Sequence, residues 1–98
     1  MPDIPQVVHN TAAGRFEIPT EAGVAQLTYA RQGDTLDLRH TNVPPELEGR
    51  GYASALAQAA LEYARTQHLH VIPTCPFVQG YLRRHAEYAG LVAETKGH

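Results

Sequence analysis

Through its first forty positions the chain alternates apolar with polar residues. Val7 and Val8 form a short apolar pair within Asp3 to His9, and Asn10 to Gly14 reads as a turn. Arg15 to Ile18 sets Phe16 and Ile18 against Arg15 and Glu17, the period of a half-buried strand. After Pro19 and a turn around Glu21 to Gly23, Val24 to Arg31 carries Ala25, Leu27 and Tyr29 on one face. Gln32 to Asp34 reverses the chain, and Thr35 to Thr41 places Leu36, Leu38 and His40 on one face if its alternation is unbroken. Short strands joined by tight turns predict an antiparallel meander.

The period changes at Val43-Pro-Pro45, because consecutive prolines remove ladder donors and cannot continue a central strand. From Gly51 to about Gln67 the spacing of Tyr52, Leu56, Ala59, Ala60 and Tyr63 is helical, and the alanines allow close approach to a sheet. Leu69 to Ile72 follows as a strand parallel to the one ending at Thr41. Pro76 opens a second helix through about His85, with Phe77, Tyr81 and Leu82 facing inward, and Gly90 to Ala93 suggests a final short strand. The fold class is α+β with mixed strand pairing.

A chain of 98 residues with 43% hydrophobic and 18% charged positions fits one domain over 1–98, with one sheet layer and a few helices. A net charge of -2 gives no positive field to neutralise a run of phosphates, so nucleic acid is not an expected partner. The single cysteine excludes an internal disulfide. With no apolar stretch near the ~18 residues that a membrane helix needs, a cytoplasmic protein without a membrane partner is expected. His68 and His70 stand at strand spacing, but only His85, Cys75 and scattered carboxylates could complete a coordination shell, so no metal is expected.

Candidate chemistry concentrates between Val43 and Ser54. Gly49 and Gly51 lack Cβ atoms, so the loop can turn its N–H groups toward the positive end of the helix that follows. Two readings remain open on these residues alone: an anion site suited to a pyrophosphate, or a turn needed only for chain direction. A P-loop is excluded because no Gly-Lys-Ser/Thr follows, and a dinucleotide fold because the feeding strand ends a meander.

On these residues the chain resembles the GNAT superfamily of acetyl-CoA-dependent N-acetyltransferases, whose pyrophosphate loop reads Gln/Arg-x-x-Gly-x-Gly/Ala between a strand and a long helix. Glu48-Gly-Arg-Gly-Tyr-Ala53 matches all but the first position. More narrowly it resembles the small single-domain GNAT-like group, through His40-Thr-Asn-Val-Pro44 and Cys75-Pro-Phe-Val-Gln-Gly-Tyr-Leu-Arg-Arg-His-Ala-Glu-Tyr88. Arg84 and Ala86 stand where that group has lysine and proline.

The resemblance implies a meander followed by α-β-α, with the strands ending near Thr41 and Ile72 parallel and splayed around a pantetheine arm. It implies acetyl-CoA contacts at Thr41 and Val43 and along Gly49, Arg50, Gly51, Tyr52, Ala53 and Ser54, with Arg84 as a further cation for phosphate. Glu48 removes one phosphate donor, leaving the loop to its backbone N–H groups and Arg50. Transfer to an amine needs a neutral nucleophile, donors near the thioester oxygen and a proton for the departing thiolate. His40 is a candidate base, a satisfied strand histidine or a simple cofactor contact; Tyr81 is a candidate acid toward sulfur or a core residue.

Cys75, beside Pro76 at a helix start, stands where the helix field favours an anion. It could accept the acetyl group, protonate the leaving sulfur, line the channel, or be a small buried hydrophobe. The leading expectation is an acetyl-CoA-binding N-acetyltransferase acting on an amine, free or on a protein surface. The alternatives are a CoA or acyl-CoA-binding module with little turnover, or an adaptor that uses the fold without ligand. Larger relatives wall the acceptor pocket with helices between their first two strands, and here only Asn10 to Gly14 joins them.

Overall fold

Strands β1 (Val8–Asn10), β2 (Arg15–Thr20), β3 (Gly23–Gln32) and β4 (Thr35–Asn42) form the expected meander in a computed structural model that describes residues 6–92. Helix α1 (Tyr52–Thr66) then crosses to β5 (His70–Pro73), which pairs parallel to β4, and the five-stranded sheet runs in the order β1-β2-β3-β4-β5. Helix α2 (Pro76–Arg84) and a 3-10 segment, Ala86–Leu91, complete the described chain. The first expected strand is shorter than its pattern, and Met1 to Pro5 lie outside the described residues. The expected last strand reduces to one parallel bridge, Val71 to Val92; Gly90 and Leu91 are in the 3-10 segment and Ala93 is outside the described residues.

Alternation fails at one consequential place. Tyr29 stands opposite Leu38 and Thr28 opposite His40, so Arg39 is the extra residue of a bulge. Beyond it the faces exchange: Thr41 joins Leu27 on the helix side, and His40 joins Thr28 on the opposite side. The expectation that His40 shares a face with Leu36 and Leu38 is therefore corrected. His40 is exposed, whereas both leucines are fully buried.

Both helices pack on one face, sharing a single core with Phe16, Ile18, Leu27, Leu36, Leu38 and Val71. The buried stripe of α1 is Leu56, Ala57, Ala60, Leu61 and Ala64, while Tyr52, Ala59 and Tyr63 flank it. The stripe is rotated from the expected one: the small alanines at 57 and 64 are fully buried, and the bulky tyrosines at 52 and 63 occupy the margins. In α2, Val78 and Tyr81 are buried, and Phe77 and Leu82 only partly so. Helix α1 ends with His68 in the left-handed region at φ 58. The Leu69 N–H donates to Ala64 O at 2.8 Å and the His68 N–H to Arg65 O at 3.4 Å, which turns Leu69 into the core before β5 begins.

At the β1 edge, His9 stacks on Phe16 with centroids 4.1 Å apart, meets Tyr63 edge-on at 4.4 Å, and lies 2.6 Å from the Tyr29 hydroxyl through Nε2. Partial burial disfavours the imidazolium and lowers the His9 pKa below its ordinary 6.5. Between the folded and unfolded values the unfolded chain binds more protons, so His9 makes stability rise with pH in that window. Its contribution is intact above pH 6.5 and is lost as pH falls toward the folded value. The urea midpoint of the native chain is expected to fall on acidification from about pH 7.5 to about pH 5.5, and His9→Gln to flatten that slope. A slope unchanged by His9→Gln would overturn this role.

Candidate functional site

The ladder between β4 and β5 runs from Thr35↔His70 to Leu38↔Pro73 and stops. Pro73 has no N–H, and the chain leaves the sheet through Thr74 toward Pro76 at the start of α2. A last bond, Cys75 N–H to Leu38 O at 2.8 Å, closes the vertex. Beyond it β4 continues to Asn42 with β3 on one side, and among the described residues no strand lies beside the β5-facing edge of 39–42. The expected splay takes the form of an opening past the end of β5, with its vertex at Leu38 and Cys75.

Thr41, brought to the helix side by the bulge, places Oγ1 3.2 Å from Cys75 Sγ. Cys75 is the N-cap residue of α2, and its side chain makes no capping bond. Only 3% of the residue is exposed, so access governs what reaches the thiol.

From the open end of the splay the chain passes through a 3-10 turn, Pro45–Leu47, into the glycine loop. Gly49 and Gly51 both adopt left-handed conformations, φ 80 and φ 87, where an L side chain is strained. Gly51 caps α1 without a side-chain bond, and its carbonyl accepts the Ala55 N–H at 3.0 Å. The N–H groups of Tyr52, Ala53 and Ser54 precede that bond and have no carbonyl one turn back within the helix. No acidic residue occupies the first turn of α1. This is a set of backbone donors at the positive end of a long helix, a composition suited to an anion.

These donors border a cleft of about 310 Å³ lined by Val43, Leu47, Glu48, Gly49, Gly51, Tyr52, Ala53, Ser54 and Phe77. The cleft therefore gathers Val43, both glycines, Tyr52, Ala53 and Ser54 from the sequence candidates. Arg50 is exposed in the same loop but is not among the lining residues. Arg84 is exposed in the last turn of α2, about 10 Å along the helix axis from Phe77, and does not line the cleft. Nor does Tyr81: it is 5% exposed, its ring stacks on His85 with centroids 4.0 Å apart, and burial raises its pKa. His40 is on the outer face of the sheet.

Leu47 and Phe77 were not singled out by sequence reasoning as cleft residues. The available signals were a lone leucine between two glutamates after a double proline, and an aromatic in the first turn after Pro76. Glu48 also borders the cleft. The Tyr88 hydroxyl donates to Glu62 at 2.6 Å, and burial together with this bond pushes the Tyr88 pKa to about 12, so this contact ties the 3-10 segment to α1 as a neutral phenol.

Residues 15–91 match the family model described as GCN5-related N-acetyl-transferase. Protein NATD1 of Gallus gallus is 39% identical over 81 residues, covering 80% of this chain and 74% of that protein. Protein NATD1 of Xenopus tropicalis is 41% identical over 49 residues, covering 50% of this chain and 45% of that protein, so the match spans less than half of the frog relative. The solution structure of a GCN5-like protein from Staphylococcus aureus superposes with a TM-score of 0.72 at 25% identity, over 94% of this chain and 91% of that one. The mixed sheet and its helices are the GNAT-like fold.

Proposed function

Because the chain belongs to the GCN5-related N-acetyltransferase family over residues 15–91, we propose that it binds acetyl-CoA and transfers the acetyl group to an amine. The observation that carries this reading is the succession of features along one stretch of chain: Thr41 against Cys75 at the vertex, Val43 on the cleft wall two residues on, and the backbone donors from Gly49 to Ser54 around the same cleft. The loop N–H groups suit a pyrophosphate, with Arg50 as a nearby cation. Val43, Leu47 and Phe77 supply apolar walls. Along 39–42 the unpartnered β4 edge offers backbone groups to the amides of a pantetheine arm.

In the transfer, the amine nitrogen forms a bond to the thioester carbonyl carbon, the carbon–sulfur bond breaks, and the thiolate is neutralised by a proton. Thr41 and Cys75 share one hydrogen bond at the vertex, which leaves the pair one further donor, O–H or S–H, for that oxygen or sulfur. Direct attack is favoured over an acetylated Cys75, since a thiol 3% exposed offers a second substrate little access and an amine held against the donor gains little from a second thioester of similar reactivity. His40, on the outer face, is the base for an acceptor that approaches from that side.

Acetyl-CoA is expected to raise the melting temperature of the chain and, with a primary amine added, to release free CoA thiol. Weighing the intact protein after acetyl-CoA alone should reveal no stoichiometric adduct; an adduct lost in Cys75→Ala would sink direct attack. Absence of thermal stabilisation at saturating acetyl-CoA would sink the whole reading. The four-residue β1–β2 turn at Thr11 to Gly14 leaves no helix to wall an acceptor, which favours a second reading, CoA binding without turnover. That reading keeps the stabilisation and predicts no thiol release with any amine.

A further inference from the structure

The sheet face opposite the helices carries a second depression, of about 160 Å³, walled by Ala30 and Gln32 of β3, Thr35, Asp37 and Arg39 of β4, and Ile72 of β5. Ala30 stands opposite Asp37, Gln32 opposite Thr35, and Asp37 opposite Ile72, so these are neighbouring outward positions on three paired strands. Arg39 joins them because the bulge falls on it, and its Nη1 lies 3.3 Å from Asp37 Oδ2. The other carboxylate oxygen, Oδ1, accepts from Thr74 Oγ1 at 2.5 Å. Asp37 is therefore held from both sides, one residue before the vertex, by the neighbour of Cys75.

We propose that this pocket seats the acceptor amine of the reaction and selects a small zwitterion, a free α-amino acid. The inference rests on the acetyl-transfer reading above and deepens it. Position is the first argument. Along β4 the cleft wall begins at Val43, the unpartnered edge covers 39–42, the vertex is Leu38, and the pocket takes 35, 37 and 39. An acetyl donor lying from cleft to vertex would end where the pocket begins on the other face, so donor and acceptor need not compete for space. His40, the proposed base, is on that same outer face.

Charge is the second argument. The Asp37 carboxylate has about four acceptor positions and the Arg39 guanidinium five N–H donors, and their mutual contact together with Thr74 uses only a few of them. Arg39 is 50% exposed and its contact with Asp37 is long, so the guanidinium can turn to a ligand while Thr74 keeps the Asp37 carboxylate, 24% exposed, in place. A ligand ammonium would take the carboxylate and a ligand carboxylate the guanidinium, the fork geometry that arginine offers best. Gln32 and Thr35 add neutral hydrogen-bonding groups, and Ala30 and Ile72 an apolar floor. Size is the third argument: the depression holds about five water volumes, enough for a small amino acid. A protein lysine would engage Asp37 and leave Arg39 without a ligand partner.

The test uses the full chain labelled with ¹⁵N. Glycine, alanine, serine and threonine are each titrated beside their carboxamides and Nα-acetyl derivatives, with a lysine-containing peptide for comparison. At least one free amino acid is expected to shift the Thr35, Asp37, Arg39 and Ile72 amides saturably, and loss of either ligand charge to weaken binding about tenfold or more. Asp37→Asn and Arg39→Gln should each remove those shifts while keeping the acetyl-CoA shifts at Gly49 to Ser54. Silent pocket amides under every free amino acid overturn the proposal, as does equal binding by the carboxamide or preference for the lysine peptide. Acetyl-CoA in the same tube separates the two readings: if it shifts Gly49 to Ser54 while the pocket stays silent, only the acceptor site fails. If it shifts nothing, the transfer reading fails and the acceptor role with it, even where an amino acid binds.

Discussion

Gly51→Val is expected to weaken acetyl-CoA binding about a hundredfold or more, and to abolish the thermal stabilisation that the ligand gives the native chain. Gly51 holds φ at 87, and placing a side chain in the left-handed region costs roughly 1–2 kcal/mol, more when it is β-branched. The loop relieves that strain by rotating, which turns the N–H groups of the first turn away from their common point. Charge-assisted hydrogen bonds contribute about 1.5–3 kcal/mol each, so losing two accounts for the hundredfold. Gly33 provides the control: it too is left-handed, at φ 57, with open space around an added Cβ, but it lies in the β3–β4 turn. Gly33→Val should lose comparable folding stability and bind acetyl-CoA as the native chain does. Titration calorimetry decides, and Gly51→Val binding within roughly threefold of native would remove the loop from the site.

The glycine loop was legible before any coordinates because its signal is local: two residues without Cβ atoms, a double proline before them and a helical period after. Strand order was legible for the same reason, since each turn in the meander is short. What escaped depends on one extra residue. Nothing in Leu38-Arg-His-Thr41 announces that Arg39 bulges, yet that single position sends His40 to the outer face and brings Thr41 to Cys75. A bulge is settled by pairing with β3, and pairing is tertiary. The reach of a helix escaped similarly. Arg84 follows Cys75 closely in sequence, but an intervening helix carries it to the far end of α2, away from the cleft that Phe77 borders. Asp37 was invisible as a candidate because its partners, Arg39 and Thr74, come from a bulge and from another strand's end.

Two buried leucines should part fold from function. Leu38 is fully buried at the vertex, within the cluster that both helices share, so Leu38→Ala leaves a cavity closed on all sides. Its expected cost is about 2–5 kcal/mol, much of the stability of a domain this size, and it is read from the urea midpoint. Leu47 is 6% exposed but borders the cleft. Leu47→Ala opens a space that water already reaches, so the cavity penalty is small and the cost about 1–2 kcal/mol. In exchange the cleft loses an apolar wall, and acetyl-CoA should bind roughly tenfold more weakly. Leu38→Ala, measured where it remains folded, should bind within about threefold of native, since its side chain lies beneath the vertex on the core side. Equal unfolding costs for the two variants would mean that Leu47 belongs to the core rather than to the cleft, and unaltered binding in Leu47→Ala would mean that acetyl-CoA does not lie against this wall.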